Sequence, residues 1–248
     1  MPRKLRTNAA VTAGFRAGRR RRLFRWPAAA LVAVLLAAGC ASLGASDNPV
    51  LSSLGWFDFL NGSDIREACG AAAGDRFRLV YNAVWGEQVR IYEVVVPGNG
   101  GAATLTARVR FPERLSAMDL TDPLQLYRGK TSTVALAPQD VDELVQRLRQ
   151  SSYDDPPPAG LVLPSDGFYW VVSSCAHGIA RFNAYVWPSR RFAAIAFADW
   201  LFARDRTDVP VAAPHPSAPR PPNRDARQEA DYSIFDLQVG TNGLVGIP

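Results

Sequence analysis

Apolar and polar positions alternate with period two along residues 76–111. Phe77, Leu79, Tyr81, Ala83 and Trp85 share one parity, and Arg76, Arg78 and Asn82 share the other. Strict alternation marks a strand with one buried face. Gly86-Glu87 then supplies a Gly-X link of the kind that closes a type II′ hairpin, and Gln88 to Val96 returns as a second strand. Both parities of that second strand carry apolar residues, so its inward face stays open. After the turn Pro97-Gly98-Asn99-Gly100-Gly101, Leu105, Ala107, Val109 and Phe111 alternate with Thr104, Thr106, Arg108 and Arg110. Residues 76–111 therefore predict a three-stranded antiparallel meander.

The period changes downstream. Short strands are expected at 124–127 and 131–136. Over Pro138 to Gln150, Val141, Leu144, Val145 and Leu148 fall at i, i+3, i+4 and i+7, which predicts an amphipathic helix with proline in its first turn. "SSYDDPPPAG" reads as a linker. "FYWVVSS" (Phe168 to Ser174) and Ile179 to Trp187 read as a strand pair around the turn Ala176-His177-Gly178. A helix rich in aromatic residues is expected from Pro188 to Arg204. The predicted fold is α+β: an antiparallel sheet of about five strands in the order βββ-α-ββ-α, with helices packed on one face as a two-layer sandwich. Upstream, Leu54 to Leu60 reads as a short helix or edge piece, and Asp64 to Ala73 as a short helix. From Asp205 the composition turns to Pro, Ala and Arg, so 205–248 reads as a largely disordered tail. Its last stretch, "YSIFDLQVGTNGLVGIP", is apolar enough to dock.

Charge changes the picture at the N-terminus. The first 39 residues hold nine Lys and Arg and no acid, and Trp26 to Ser46 carries no charge at all. The dense apolar part, Ala28 to Ala38, would rise only ~16 Å as a helix, short of a ~30 Å hydrocarbon core. A cationic flank, a short apolar run and small residues are the pattern of an export signal. Leu36-Ala37-Ala38-Gly39-Cys40 resembles the lipobox of bacterial lipoproteins, although Ala37 holds the position where that pattern usually carries Leu. The resemblance implies cleavage between Gly39 and Cys40, acylation (palmitate) of Cys40, and a membrane partner reached through the lipid. It divides the chain into a signal peptide (1–39), a lipid-anchored tether (40–60), an α+β domain (61–204) and the tail. Ala41 after the cysteine implies the outer membrane, on the periplasmic side of the cell envelope. An uncleaved inner-membrane signal anchor is the alternative. Arg21-Arg22-Leu23-Phe24 resembles a twin-arginine export signal, so the export route stays open.

Without the signal, 19 of the 28 Lys and Arg remain against 23 Asp and Glu. The basic balance thus belongs to the signal, and the electrostatic case for nucleic acid falls away. Cys69 and Cys175 remain as an even pair, which an oxidising compartment favours as a disulfide.

Candidate chemistry is sparse. Cys175 and His177, two apart on an extended segment, would let a thiol meet an imidazole, the basis for a thiol enzyme or redox reading. Aromatic residues at 56–59, 81–85, 168–170 and 185–187 fill a core or line an open sheet face for a small ligand. Arg181, Arg190 and Arg191 around Trp187 suggest an anionic-partner patch. No metal or cofactor motif shows. The pattern "DGFYWVV" and the Trp-Pro before the last helix resemble small bacterial envelope proteins of unassigned activity. Together these features predict a non-enzymatic envelope protein with a binding or assembly role.

Overall fold

The structure, a computed structural model, describes residues 56–70, 74–110, 129–216 and 235–245. The signal peptide, Gly39, Cys40 and the strand expected at 124–127 lie outside them.

The alternating runs pair as predicted. Strands β1 (Asp75–Ala83), β2 (Gln88–Val96) and β3 (Ala103–Arg110) form the meander, and β4 (Lys130–Leu136) adds to its outer side. Strands β6 (Phe168–Ala176) and β7 (Ile179–Val186) join along the other side of β1. The sheet is antiparallel in the order β4-β3-β2-β1-β6-β7, six strands where about five were expected. A separate ribbon pairs β5 (Val162–Pro164) with β8 (Asp236–Gln238). The architecture is α+β, as predicted.

One face of the sheet carries the larger core. Leu79, Tyr81, Tyr92, Leu105, Trp170 and Tyr185 point into it. Helix α3 (Pro138–Gln150) covers them with Leu144 and Leu148, both buried. The aromatic segment after Trp187 adds Phe197, Trp200 and Leu201. The helix expected over 188–204 is two helices, α4 (Arg190–Ala193) and α5 (Ala198–Arg204). The break has a cause in α3 and its cap. Ala196 N–H donates to Ser151 Oγ at 2.9 Å, and its carbonyl accepts from Arg147 Nη1 at 3.1 Å. Both backbone groups are thus spent outside the helical ladder.

The second face is covered too, by a smaller layer. Residues 56–61 form helix α1 and Ser63–Glu67 form α2. With the β5–β8 ribbon they bury Val80, Ile91, Tyr169, Val171, Phe182 and Ala184. This corrects the half-buried reading of β1. Arg78 and Asn82, assigned to a solvated side, are buried at 3% and 1% exposure. The first hairpin also differs. Its loop takes four residues, 84–87, because Ala83 pairs with Gln88 and Val84 turns at φ 60° with its carbonyl accepting from Glu87 N–H. Trp85 therefore leaves the strand and joins the second-face cluster.

Candidate functional site

Two buried arginines show how the sheet is closed. On the second face, Arg78 holds Asp64 of α2 in a fork, Nη1 to Oδ1 at 2.7 Å and Nη2 to Oδ2 at 2.9 Å. It also donates to Glu93 Oε1 and to the Phe59 carbonyl, and stacks 3.7 Å over the Phe59 ring. Burial by itself would raise the Asp64 pKa, but the Arg78 hydrogen bond and charge, with help from Arg76, bring it below the ordinary carboxylate range. Ser173 Oγ donates to the Leu60 carbonyl at 3.3 Å. Gly62 sits so close to Ser173 that an added Cβ would lie 2.5 Å from Ser173 Cβ, and its φ of +66° favours glycine independently. Cys69 and Cys175 are joined by a disulfide, with Cα atoms 5.5 Å apart, so the chain before β1 is fastened to β6 as well.

On the first face, Arg90 is 1% exposed. It lies beside Tyr81 in the β1–β2 register, on the inward parity of β2. Its guanidinium meets Asp205 Oδ2, Gln88 Oε1 at 2.9 Å, and the carbonyls of Val209 and Pro210. Tyr92 and Thr207 hydroxyls also donate to Asp205. Burial pushes the Asp205 pKa up, but the Thr207 hydroxyl and N–H, Tyr92 and Arg90 together hold it below the ordinary value. Tyr81 OH donates to the Ala212 carbonyl, and Gln88 Nε2 to that of Pro210. Residues 205–212, read from sequence as the start of a disordered tail, are therefore a strap across the sheet. A buried cation demands acceptors, and the strap supplies them. Residues near the C-terminus also belong to the fold: 236–238 is β8, and Leu237, Val239 and Leu244 enter the second core. Sequence reading missed Arg90, because both parities of β2 carry apolar residues and only the pairing of Arg90 with Tyr81 places it inward.

The other candidates do not assemble as sites. Cys175 is bonded to Cys69, so no free thiol stands beside His177. The His177 side chain is 89% exposed and lies 3.8 Å from Asp75. The aromatic face is filled: Phe168, Tyr169, Trp170 and Tyr185 are each at most 1% exposed. Tyr81 stacks on Trp170 at 4.9 Å, and Phe197 meets Trp170 edge-on at 5.2 Å. Of the three arginines around Trp187, Arg181 and Arg191 serve different partners. Arg191 donates to the Ser152 carbonyl and Asn183 Oδ1, and Arg181 faces Asp154 at 3.5 Å. Among the described residues no three His, Cys, Asp or Glu side chains gather as metal ligands would, and no helix is long and apolar enough to cross a membrane.

Among the described residues, the β3–β4 half is the less covered part of the second face. Thr104, Thr106, Arg108 and Arg110 of β3 are partly exposed, and Thr131, Thr133 and Ala135 of β4 are exposed. Thr106 and Thr133 hydroxyls touch at 3.1 Å across the pair. Arg108 and Arg110 meet no carboxylate among the described residues. Burial and the charge of Arg108 lower the Arg110 pKa from its ordinary value, and its guanidinium lies 5.7 Å from the Trp56 ring. Strand β4 is the sheet's outermost strand on this side. Its outward N–H and C=O groups have no backbone partner among the described residues. An edge of this kind can accept another strand, and the two arginines beside it offer cationic donors to an acidic or polar partner. No protein-family model, curated protein or solved structure matches this chain.

Proposed function

We propose that the chain is a lipid-anchored protein of the bacterial cell envelope, held by acylated Cys40 on the periplasmic side of the outer membrane, and that its folded part works by non-enzymatic binding or assembly. The anchor rests on the lipobox resemblance at 36–40 and on the one-sided arginines before it. The binding role rests on one contrast: the aromatic faces and the thiol pair are spent internally, while among the described residues the β3–β4 half of the second face is the less covered one and its Arg108 and Arg110 meet no carboxylate. The Cys69–Cys175 bond is in keeping with an oxidising compartment.

Metabolic labelling with radioactive palmitate tests the anchor. The wild type incorporates label and Cys40→Ser does not. Absence of label in both removes the anchor and the compartment argued from it. The binding role is tested separately, by photocrosslinkers placed at Thr131 and Thr104 in intact cells. Adducts specific to these positions support it. Adducts only from control positions on β7 contradict it.

A further inference from the structure

The sequence contains three Asn-Gly pairs, at 61–62, 99–100 and 242–243. In such a pair the glycine nitrogen can attack the asparagine amide carbon, because no Cβ on the glycine shields the approach. The fold sorts the three. Asn99 and Gly100 lie at the exposed tip of the turn between β2 and β3. The base of that turn is held against Gly74, where an added Cβ would run into the Val96 carbonyl oxygen and the Gly98 nitrogen. At the tip, Gly100 N–H donates a long turn bond, 3.3 Å to the Pro97 carbonyl. Gly101 N–H donates to Asn99 Oδ1 at 3.1 Å. That donor stabilises the negative charge that grows on Oδ1 as Cγ is attacked. We propose that Asn99 is a site of spontaneous deamidation, a covalent modification of the β2–β3 turn. It rests on neither the lipid anchor nor the binding role, and the reaction needs only two neighbouring residues and water.

The atoms balance as follows. Gly100 N bonds to Asn99 Cγ, its proton passes through solvent to the departing amide, and the Cγ–Nδ2 bond breaks with release of ammonia. Water then opens the cyclic imide at either carbonyl. One opening gives aspartate at position 99. The other gives isoaspartate, whose backbone runs through the side chain and is longer by a methylene. Both products add a negative charge to the turn. Asn61 is the informative comparison. Its Oδ1 accepts from Leu244 N–H at 2.8 Å and from Arg66 Nη2 at 3.2 Å, so its amide is at least as polarised as that of Asn99. It lacks freedom of approach. Those bonds fix the amide, Gly62 is buried, and an added Cβ there would lie 2.5 Å from Ser173 Cβ. The Gly62 carbonyl accepts from Arg66 N–H, which ties the backbone into α2. Asn242 is exposed, but Gly243 is buried against Asn61. At both protected pairs, attack requires local opening of the second-face cover.

Full-length folded protein, aged in mildly alkaline buffer made with oxygen-18 water, provides the test. The isotope marks each carboxylate formed during ageing, and peptide mass spectrometry assigns it to a position. Isoaspartyl methyltransferase with labelled S-adenosylmethionine reports the isoaspartate fraction. Asn99 should convert at least about tenfold faster than Asn61 and Asn242, a barrier difference of about 1.4 kcal/mol. In denaturant the three rates should converge, because the protection of Asn61 and Asn242 belongs to the fold. Asn99→Gln, whose amide carbon sits a methylene further from the Gly100 nitrogen, should lose the conversion at that position while its circular dichroism matches wild type. Conversion of Asn61 or Asn242 as fast as Asn99 in the folded chain overturns the proposal. So does a rate spread that persists unchanged in denaturant, which would assign it to local sequence. Conversion at position 99 without isoaspartate would mean direct hydrolysis and overturn the imide route. A failed palmitate label or crosslink leaves all of these outcomes unaffected.

Discussion

The two halves of the sheet are built from similar alternating sequence and end in opposite conditions. Along β1 and β6, and over residues 182–185 of β7, both faces are buried. Val80, Val171 and Ala184 on the second face are as enclosed as Leu79, Val172 and Tyr185 on the first. A disulfide, the Arg78 fork and the ribbon lock the cover in place. In β3 only the helix-covered face is buried, as its strict alternation records, and in β4 only Leu136 is. The opposite face holds threonines and arginines, and among the described residues β4 has no neighbouring strand on its outer side. The difference teaches where each part of the molecule spends its polar groups. Charges in the closed half are consumed in holding chain segments onto the sheet. Arg108 and Arg110 in the other half meet no carboxylate among the described residues.

Removing the lock should have the largest effect. Replacing Cys69 and Cys175 together by serine frees a loop of 106 residues, for which chain entropy gives about 4–5 kcal/mol. Denaturant midpoints of oxidised and double-serine protein measure it. A loss below about 1 kcal/mol would mean the cover holds without its covalent tie. Next comes Arg90→Ala, which leaves Asp205 buried without its cation and should cost about 3–5 kcal/mol. Its readout has a local part, proteolytic opening of 205–212 before the sheet unfolds.

The pH dependence sharpens the same point. Asp64 and Asp205 both have folded pKa values below the ordinary 3.8. Their contribution is therefore present above that value and is lost as pH falls through it toward the folded pKa, because the unfolded chain takes up the protons first. Unfolding midpoints between pH 6 and 2.5 should fall steeply in wild type. They should fall less steeply in Asp205→Asn, which starts lower. Tyr153→Phe is smaller. It removes a hydroxyl bonded to Ser174 Oγ at 2.8 Å and to the Arg181 carbonyl at 3.0 Å, and should cost about 1–2 kcal/mol. Smallest of all is Thr131→Ala in the open half, expected within about 0.5 kcal/mol of wild type in monomer stability, as for surface changes away from packed features.

Periodicity made the strands, the meander and α3 legible, because alternation and the 3.6 repeat are local properties. It could not reveal that the second face is covered. That cover comes from residues 56–67 and 236–244, distant in sequence and too short to carry a period of their own. The Pro-rich stretch after Asp205 has the composition of a linker, yet Arg90 on β2 binds it across more than a hundred residues. Arg90 is the visible half of such a contact, but both parities of β2 are apolar enough to hide its inward position, and two of its acceptors, the Val209 and Pro210 carbonyls, are backbone groups that composition does not encode. The same holds for the split of the 188–204 helix, decided by Ser151 and Arg147. The cysteine pair was legible because parity and count suffice there. The open edge was legible only as a weak strand, since whether a strand has a neighbour is a property of the assembled sheet.

The contrast between the halves is tested most directly by hydrogen exchange with mass spectrometry, comparing the protein in native membranes with dilute, detergent-solubilised protein. The account expects the amides of 130–136 to exchange more slowly in membranes, while those of β1 and β6 stay equally protected in both. Unchanged exchange at β4, with new protection appearing instead on β7 or the 151–155 segment, would contradict it.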